Sequence, residues 1–374
     1  MTILTAIGLM APPSLDGIDA ALITTDGENH VVLGEALHQP YNRDMKIWIR
    51  RAIKAAQEGR DGAADIGKAA GEITLAHTEI VEELLERANL KRANVDVIGF
   101  HGQTLLHRPA TSRDEFGRTW QIGDAPTIAE DTRIDVVSDF RSTDIQEGGR
   151  GGPIIPTYLQ ALTKVADPGG PVGVINLDEV ATLTYLPLDG HPIDIMSFDC
   201  GPSLGLLDQW MEVKTGQSLD QGGEGVRDGR VHTDILRMLM LNPFLRRKPP
   251  KYSEGFEFKL DAIQDLSTAD GAATLTAFTA ACVRAAEKWF PEKPIGYVVT
   301  GVGRSNKTLM EALEKALEVP VESAEGVGWR GDFIAAEMCG YLAVRSLRKL
   351  PLTYPAITRV PRPLLGGIHS KAPQ

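Results

Sequence analysis

Residues 8–19 carry the first of two stretches that indicate the fold, Gly8-Leu9-Met10-Ala11-Pro12-Pro13-Ser14-Leu15-Asp16-Gly17-Ile18-Asp19. Residues 197–203 carry the second, Ser197-Phe198-Asp199-Cys200-Gly201-Pro202-Ser203. Each follows an apolar run that predicts a β-strand, and each has the Gly, Ser and Asp residues typical of a turn. Such a turn offers backbone N–H groups and a carboxylate to a phosphate or a metal. Two such turns, about half the chain apart, predict two related lobes facing one cleft, which suits a phosphoryl-transfer enzyme.

The composition is that of an ordinary globular protein. The chain has 374 residues, of which 43% are apolar and 24% charged, so it is long for one hydrophobic core and sufficient for two lobes. Its net charge of −11 argues against nucleic acid as the main partner. The charge is compatible with an anionic ligand, because a local ring of amides binds phosphate even in an acidic protein.

The cysteines and the apolar segments point to a cytoplasmic protein. Cys200, Cys282 and Cys339 lie far apart, without CxxC or Cys/His spacing. We therefore expect neither a structural zinc site nor a disulfide framework, and we assign no metal-ligating residues. Residues 1–10 are apolar but lack a basic flank and are too few for a signal peptide. No apolar run is long enough to span a bilayer, so we expect no membrane partner.

The order of predicted strands occurs twice along the chain. The first series is a buried strand, its two antiparallel partners and two further strands, at residues 2–9, 18–24, 30–37, 95–100 and 135–138. After a Gly-rich joint at residues 147–153, a second series follows at residues 172–177, 181–186, 193–198 and 295–300. This repeat predicts an α/β protein with two lobes, each with a mixed five-stranded sheet flanked by helices, and a cleft between the lobes.

Three polar segments of the first half predict a sugar site. His101-Gly102-Gln103-Thr104 follows a predicted strand, and loops at strand ends supply the donors and acceptors that a sugar needs. Two more segments resemble a sugar-binding wall with an Arg–carboxylate clamp, namely Trp120-Gln121-Ile122-Gly123-Asp124 and Asp139-Phe140-Arg141-Ser142-Thr143-Asp144. For the first segment, the structural alternative is a capped loop with a histidine whose hydrogen bonds are satisfied. For the other two segments, it is a buried ion pair that orders the lobe. Residue spacing does not decide between the functional and the structural interpretations.

Two segments of the second half carry further candidates. Asp199 lies at the end of a predicted strand, where a single carboxylate can serve as a general base. An Asx-turn cap before Gly201-Pro202 is the structural alternative. Residues 295–300 predict a strand that leads through Gly301-Val302-Gly303 into a helix at residues 307–317. This order is typical of a nucleotide bound beside a helix N-terminus.

Taken together, these segments resemble the anhydro-N-acetylmuramic acid kinase family nearly end to end. The matching segments include Ile98-Gly99-Phe100-His101-Gly102-Gln103-Thr104, Trp120-Gln121-Ile122-Gly123-Asp124, Asp139-Phe140-Arg141-Ser142, Lys248-Pro249-Pro250-Lys251, Thr274-Leu275-Thr276-Ala277-Phe278-Thr279 and Leu342-Ala343-Val344-Arg345-Ser346-Leu347. The resemblance implies paired ribonuclease-H-like lobes of the actin/Hsp70/sugar-kinase superfamily, and it suggests a homodimer. With the repeated strand order, it assigns residues 1–139 and 345–374 to the first lobe and 140–344 to the second.

The resemblance also implies a reaction and its residues. The family opens the internal 1,6-anhydro bond of a muramic acid sugar recovered from the cell wall. Water attacks the anomeric carbon, and the departing O6 takes the γ-phosphoryl group of ATP, with Mg²⁺ neutralising the moving charge. The general base is the Asp of the family motif FDTGPGN, which falls on Asp199. The residues that we expect to line the sugar side are His101, Gln103, Gln121, Asp124 and Arg141.

The predicted nucleotide residues depart from the family motifs. They are Pro12, Pro13, Ser14, Leu15, Asp16, Gly17, Asp19, Asp178, Glu179, Gly201, Gly301 and Gly303. The family loop GLMSGTSLDG has Ser-Gly-Thr where this chain has Ala11-Pro12-Pro13, and proline has no N–H donor. The family loop NIGGIANVTYLP has two glycines where this chain has Asp178-Glu179. These two acids add negative charge where phosphates would lie.

Three functions are consistent with this pattern. The first is a working ATP-dependent anhydrosugar kinase with unusual phosphate loops. The second is a catalytically impaired relative that binds a sugar or a protein partner. The third is an ATP-independent anhydrosugar hydrolase that uses Asp199 and water. The scaffold segments match the family and the phosphate-binding segments do not, which is why the second function stays open beside the first.

Overall fold

The computed structural model describes residues 2–110, 117–217, 228–253 and 257–373. The chain divides into two compact units, the first formed by Met1–Val165 with Asp332–Gln374 and the second by Ala166–Gly331. The strands are β1 (Leu4–Ala11), β2 (Gly17–Thr25), β3 (Val31–Pro40), β4 (Val97–Arg108), β5 (Arg118–Ile122), β6 (Val136–Ser138), β7 (Val172–Leu177), β8 (Val180–Leu186), β9 (Met196–Pro202), β10 (Gly296–Thr300), β11 (Val321–Ser323) and β12 (Ile368–Ser370). The α-helices are α1 (Arg43–Gln57), α2 (Ala64–Arg87), α3 (Ala125–Thr132), α4 (Ser142–Gln146), α5 (Pro156–Ala166), α6 (Leu204–Thr215), α7 (Thr233–Leu239), α8 (Thr268–Ala286), α9 (Lys307–Leu317), α10 (Ile334–Leu347) and α11 (Pro355–Thr358).

The sheet of the first unit is mixed. Its strand order is β12-β6-β4-β1-β2-β3, with β5 paired to β4 outside this path. β1, β2 and β3 are antiparallel neighbours, whereas β4 is parallel to both β1 and β6. The long connection that a parallel pair requires is provided by α1 and α2, which lie between β3 and β4 in the chain.

Helices α1 and α2 are held to this sheet by their apolar faces. Asn42 caps α1 by accepting a hydrogen bond from the Met45 N–H at 2.8 Å, which satisfies one of the free donors of the first turn. Buried residues recur every three or four positions along both helices, as an amphipathic helix on a sheet requires. They include Met45, Ile49, Ala52, Ala56, Ile66, Ala69, Ile73, Ile80 and Leu84.

Helix α10 belongs to the first unit, because it packs closely on β1. A Cβ atom at Gly8 would lie 1.7 Å from the Ala336 carbonyl oxygen, so only glycine allows the helix to approach this strand. Helix α5 belongs there as well, since the Tyr158 hydroxyl donates to Glu337 of α10 at 2.7 Å. The units therefore divide at 165/166 and 331/332, whereas we expected the lobes to divide at 139/140 and 344/345.

The second unit has the same central topology as the first. Its sheet has the order β11-β10-β7-β8-β9, with β7, β8 and β9 antiparallel and β10 parallel to both β7 and β11. One apolar core lies between this sheet and α8 and α9, and a second lies around Trp210, Phe244 and Phe278. The predicted architecture of two mixed sheets flanked by helices is thus confirmed.

The first sheet has more strands than the five that we expected. Within the described residues it contains seven, and the second sheet contains five. The first has two more because β5 pairs with a continuation of β4, and because β12 pairs with β6 at the sheet edge. As a consequence, His101-Gly102-Gln103-Thr104 lies inside β4 rather than in a loop after it.

Asp199 also lies within a strand rather than at its end. β9 continues to Pro202, and its register with β8 shifts by one residue, so that Ala181 pairs with Gly201 while Thr182 pairs with Asp199. The extra residue, Cys200, makes this a β-bulge, a feature that re-aims neighbouring side chains. A corresponding irregularity occurs in β4, where Ala11 pairs with Gln103 after Leu9 has paired with Phe100.

Across the described parts of the chain, no helix combines the length and the apolar character needed to cross a bilayer. Those same parts contain no cluster of three His, Cys, Asp or Glu side chains that could bind a metal ion.

Candidate functional site

The turn between β1 and β2 has few backbone donors for an anion. Pro12 and Pro13 have no N–H, and the Leu15 N–H donates to the Pro12 carbonyl oxygen at 3.2 Å. Leu15 is buried with φ 61°, whereas the Pro13, Ser14 and Asp16 side chains are exposed. The Leu15 N–H is therefore used within the turn, and the two prolines offer no N–H to an anion.

Two predicted nucleotide residues of β2 have structural partners. Gly17 is buried and pairs with Pro40 of β3. Asp19 accepts a hydrogen bond from His38 Nδ1 at 2.7 Å. Burial raises the pKa of the Asp19 carboxyl, and the histidine acts in the opposite direction. Asp19 is therefore bound to His38 within the sheet of the first unit.

Gln103 braces the β1–β2 turn from the interior. It is fully buried, its Nε2 donates to the Pro12 carbonyl oxygen at 3.4 Å, and its Oε1 accepts from the Tyr41 hydroxyl at 3.3 Å. The backbone of Tyr41 also donates to the Asp16 carbonyl oxygen at 2.9 Å. Gln103 was expected to line the sugar side, but both ends of its amide are used within the protein.

Three of the five predicted sugar residues line one pocket of about 560 Å³ in the first unit. They are His101, Gln121 and Asp124, and the indole of Trp120 lies among them. Gln121 donates to Thr119 and Thr104 at 2.9 and 3.2 Å. Asp124 caps α3 and accepts from the Thr127 hydroxyl at 3.0 Å. An amide, a carboxylate and an aromatic face are the groups with which proteins bind sugars.

Arg141 hydrogen-bonds to His101 and fixes the tautomer of its ring. Arg141 Nε donates to His101 Nε2 at 2.9 Å, and Nη1 donates to the Gly151 carbonyl oxygen at 2.7 Å. Because His101 Nε2 accepts, the ring proton is on Nδ1, which donates to the Gly102 carbonyl oxygen at 2.9 Å. Burial, and then the Arg141 charge, lower the pKa of His101 to about 3. His101 is therefore neutral at physiological pH. Arg141 itself forms no carboxylate clamp among the described contacts.

Asp199 in the second unit is held by both of its carboxylate oxygens. Oδ1 accepts from the Thr182 hydroxyl and Oδ2 from the Ser253 backbone N–H, each at 2.8 Å. The Asp199 N–H donates to the Lys251 carbonyl oxygen at 2.9 Å. These contacts fix the orientation of the Asp199 carboxylate within the second unit. The choice between a general base and an Asx-turn cap stays a prediction.

Asp178 accepts the donors of the predicted nucleotide turn. Its Oδ1 accepts from the Val302 N–H at 3.0 Å, and its Oδ2 accepts from the Asn176 side chain at 2.9 Å. Gly301 has φ 77°, and a Cβ atom there would lie 2.7 Å from Asp178 Oδ1. The turn thus has a backbone form of the kind that binds anions. In this structure, the group that accepts its N–H is the Asp178 carboxylate.

The remaining predicted nucleotide residues lie next to Asp178. The Glu179 carbonyl oxygen accepts from the Gly205 N–H at 3.1 Å, and the Asp178 carbonyl oxygen accepts from the Leu204 N–H at 3.0 Å. The first-turn amides of α6 are therefore used by the β7–β8 hairpin. Gly201 and Gly303 are buried.

Sequence reasoning missed the partners that position these carboxylates. Thr182 and Ser253 bind Asp199, and Asn176 binds Asp178. The alignment of β8 with β9 as an antiparallel pair was a signal for Thr182, because it places that residue beside Asp199. Nothing in the sequence indicated Ser253, which reaches Asp199 from a segment without regular structure.

Comparisons with known proteins agree with the resemblance seen in the sequence. The chain is 40% identical over 374 residues to the anhydro-N-acetylmuramic acid kinase of Nitrobacter winogradskyi, covering 98% of this chain and 100% of that one. It is 40% identical over 370 residues to the enzyme of that name from Zymomonas mobilis, covering 97% and 99%. Among solved structures, a ROK hexokinase from Thermus thermophilus is similar with a TM-score of 0.43 and 11% identity, covering 92% of this chain and 100% of that one.

The family assignment depends on the sequence matches. The profile described as anhydro-N-acetylmuramic acid kinase matches residues 4–371, and the relatives match over nearly their whole length. The chain therefore belongs to the anhydro-N-acetylmuramic acid kinase family.

Proposed function

We propose that this protein is an ATP-dependent anhydro-N-acetylmuramic acid kinase, which opens the 1,6-anhydro ring with water and phosphorylates O6. The observation that carries the proposal is Asp199, whose carboxylate is oriented by Thr182 and Ser253 in a chain that belongs to this family. Members of the family are named as sugar kinases, so phosphoryl transfer to a sugar is the activity to be expected. The product is the 6-phosphate of the opened sugar.

The proposed role of Asp199 is to take a proton from water. As the proton moves to the carboxylate, the water oxygen bonds to the anomeric carbon, and the bond from that carbon to O6 breaks. The departing O6 receives the γ-phosphoryl group of ATP. The Thr182 and Ser253 hydrogen bonds favour the ionised form of Asp199, which is the form that a general base needs before the reaction begins.

The proposed sugar residues act by hydrogen bonding and stacking. His101 is neutral, with its proton fixed on Nδ1, so its contribution is orientation and not proton transfer. Gln121 and Asp124 lie at the same pocket with Trp120. An amide and a carboxylate discriminate hydroxyl groups by the pattern of donors and acceptors, and an indole covers the apolar face of a sugar ring.

The nucleotide residues fit ATP poorly in the arrangement that the structure shows. Val302 offers an N–H at a turn of the right form, but Asp178 accepts it. The prolines of the β1–β2 turn offer no N–H donors. Mg²⁺, which accompanies ATP in phosphoryl transfer, would supply charge neutralisation. These loops therefore have no assigned role in the proposed reaction.

A catalytically impaired relative that binds a sugar or a protein partner is the second candidate. The hydrogen bond from Val302 to Asp178 favours it, because a carboxylate already holds the position of an anionic ligand. In this case the sugar pocket of the first unit would keep its function while phosphoryl transfer is slow or absent.

One experiment separates these functions. The purified protein is incubated with 1,6-anhydro-N-acetylmuramic acid and Mg·ATP, and ADP, opened sugar and sugar 6-phosphate are measured, with Asp199→Asn as the control. ADP and 6-phosphate in equal amounts, both lost in the control, support the kinase. Sugar binding by calorimetry without turnover, and without binding of Mg·ATP or a nonhydrolysable analogue, supports the second candidate. Opened sugar without phosphate indicates a hydrolase.

A further inference from the structure

A buried lysine belongs to the backbone segment that binds Asp199. It is part of neither the family motif that contains the base nor the sugar pocket. Lys251 is only 2% exposed. It ends the segment Lys248-Pro249-Pro250-Lys251, which matched the family without a function. Burying an ammonium group is costly unless it is hydrogen-bonded or faces a negative charge, so its presence in the core calls for an explanation.

The ammonium group is anchored in an aromatic cluster. Lys251 Nζ donates to the Phe244 carbonyl oxygen at 3.0 Å and lies 4.6 Å from the centre of the Phe244 ring. The Phe244 ring contacts that of Phe258 at 5.5 Å between centres, and Phe258 contacts Phe278 in turn. A cation over an aromatic face is attracted to it, more strongly when both are removed from water.

The backbone that follows this anchor binds Asp199 twice. The Lys251 carbonyl oxygen accepts from the Asp199 N–H at 2.9 Å, and the Ser253 N–H donates to Asp199 Oδ2 at 2.8 Å. The Ser253 hydroxyl donates to Glu257 Oε2 at 2.8 Å. The segment therefore lies beside the bulged strand β9 and orients the carboxylate, while the lysine side chain fixes the segment.

The charged and titratable groups that act on Lys251 come from three elements. They are Asp199 and Cys200 of β9, Cys282 of α8, and Lys288 in the turn that follows α8. Burial raises the pKa of Cys200 to about 12 and holds that of Cys282 well above its usual value, so both thiols are neutral at physiological pH. Among these groups, Asp199 is thus the one with negative charge.

We propose that Lys251 is a positioning residue for Asp199: its ammonium group anchors the segment whose backbone binds the carboxylate. The inference rests on the proposed function in so far as Asp199 is the base. It adds a residue that touches neither sugar nor nucleotide. Lys251→Met removes both the anchor and the charge, whereas Lys251→Gln keeps a donor for the Phe244 carbonyl and removes only the charge.

The test measures the ionisation of Asp199 directly, so it does not need turnover. Protein labelled with ¹³C at the aspartate carboxyl carbons is titrated by NMR, and the Asp199 signal is assigned by its loss in Asp199→Asn. We expect Lys251→Met to raise the pKa of Asp199 by about one unit, because loss of the anchor weakens the Ser253 hydrogen bond to the ionised carboxylate. Lys251→Gln, which keeps a donor for the Phe244 carbonyl oxygen, should raise it less. Lys248→Met, which removes an exposed charge from the same segment, should leave it unchanged.

The pH dependence of turnover gives a second measurement of Asp199 ionisation. In an active protein, the acidic limb of the profile of kcat/KM against pH should move upward by the same interval in the Lys251 variants and not in Lys248→Met. Equal titration of Asp199 in wild type and both Lys251 variants would overturn the inference while leaving the kinase untouched. Global unfolding of both variants would also overturn it, since Lys251 would then serve overall stability. Turnover that survives Asp199→Asn would instead refute the proposed function.

Discussion

Two aspartate carboxylates of the second unit differ in their hydrogen-bond partners. Asp199 accepts hydrogen bonds from the Thr182 hydroxyl and the Ser253 backbone N–H, which fix its orientation. Asp178 is exposed and accepts the Val302 N–H of the turn where the resemblance places a nucleotide. In the proposed reaction, the first arrangement would orient the base, and the second would compete with an anionic ligand for the Val302 N–H.

Asp178→Gly should strengthen the binding of Mg·ATP. A carboxylate about 4 Å from a phosphate charge costs roughly 4 kcal/mol at an effective dielectric of about 20, and the exposure of Asp178 reduces this by screening. We therefore expect a gain of about tenfold in affinity, or about 1.4 kcal/mol, measured by isothermal titration calorimetry. Glu179→Gly is the matched control, because it removes the neighbouring acid, for which the described contacts show no bond to the turn. Equal gains from both variants would mean that net charge, and not the Val302 contact, limits binding.

At the scale of elements, register decides which residues meet. The bulge at Cys200 brings Asp199 beside Thr182, and the irregularity in β4 accompanies His101 and Gln103. Without the extra residue, an alternating strand would place these side chains on other faces. The two bulges therefore explain how residues that were predicted in loops or at strand ends take their observed positions within strands.

Helix α2 contains a buried histidine that makes the first unit sensitive to acid. His77 is fully buried, its Nδ1 hydrogen-bonds to the Ile73 carbonyl oxygen at 2.7 Å, and its Nε2 has no partner among the described residues. Burial lowers the pKa of His77 from 6.5 to about 4. Between those values the unfolded chain binds the proton and the folded chain does not, so stability is complete above pH 6.5 and falls as the pH is lowered.

His77→Leu should make α2 less sensitive to acid. We expect the free energy of opening of the α2 amides, measured by hydrogen exchange from pH 7 to pH 4.5, to fall less steeply in the variant. The difference in slope should approach 1.4 kcal/mol per pH unit, which is the value for one proton. At pH 7 the loss should be about 1 kcal/mol, because leucine removes the hydrogen bond to the Ile73 carbonyl oxygen but leaves no buried Nε2 without a partner. Parallel slopes in the two proteins would contradict this account.

At the scale of the whole molecule, the two units repeat one strand order. β3-β2-β1-β4-β6 in the first corresponds to β9-β8-β7-β10-β11 in the second, with the same parallel and antiparallel neighbours. The predicted sugar residues belong to the first unit, and Asp199 and Asp178 belong to the second. Each unit thus supplies a different part of the proposed chemistry from the same scaffold.

The homodimer that the resemblance suggests is tested by mass in solution. We expect light scattering to give twice the chain mass of 40.5 kDa. Because each chain carries a net charge of −11, repulsion opposes association, and the dimer fraction should rise as salt increases from about 0.05 to about 0.5 M and the charges are screened. A mass of one chain at every protein and salt concentration would rule the dimer out.

The sequence by itself determined the fold class and the family, and most of the central strands were predicted near their observed positions. Apolar periodicity and turn residues act over short distances, so β7 and α9 were predicted with the bounds that the structure shows. Only the tertiary structure decided the short edge strand β12, because its pairing partner β6 is distant in the chain. It also decided that Gln103 braces a turn, that Arg141 holds His101, and that Asp178 accepts the Val302 N–H. These roles depend on contacts between residues that are up to 124 positions apart, and no local pattern records which donor a side chain will meet.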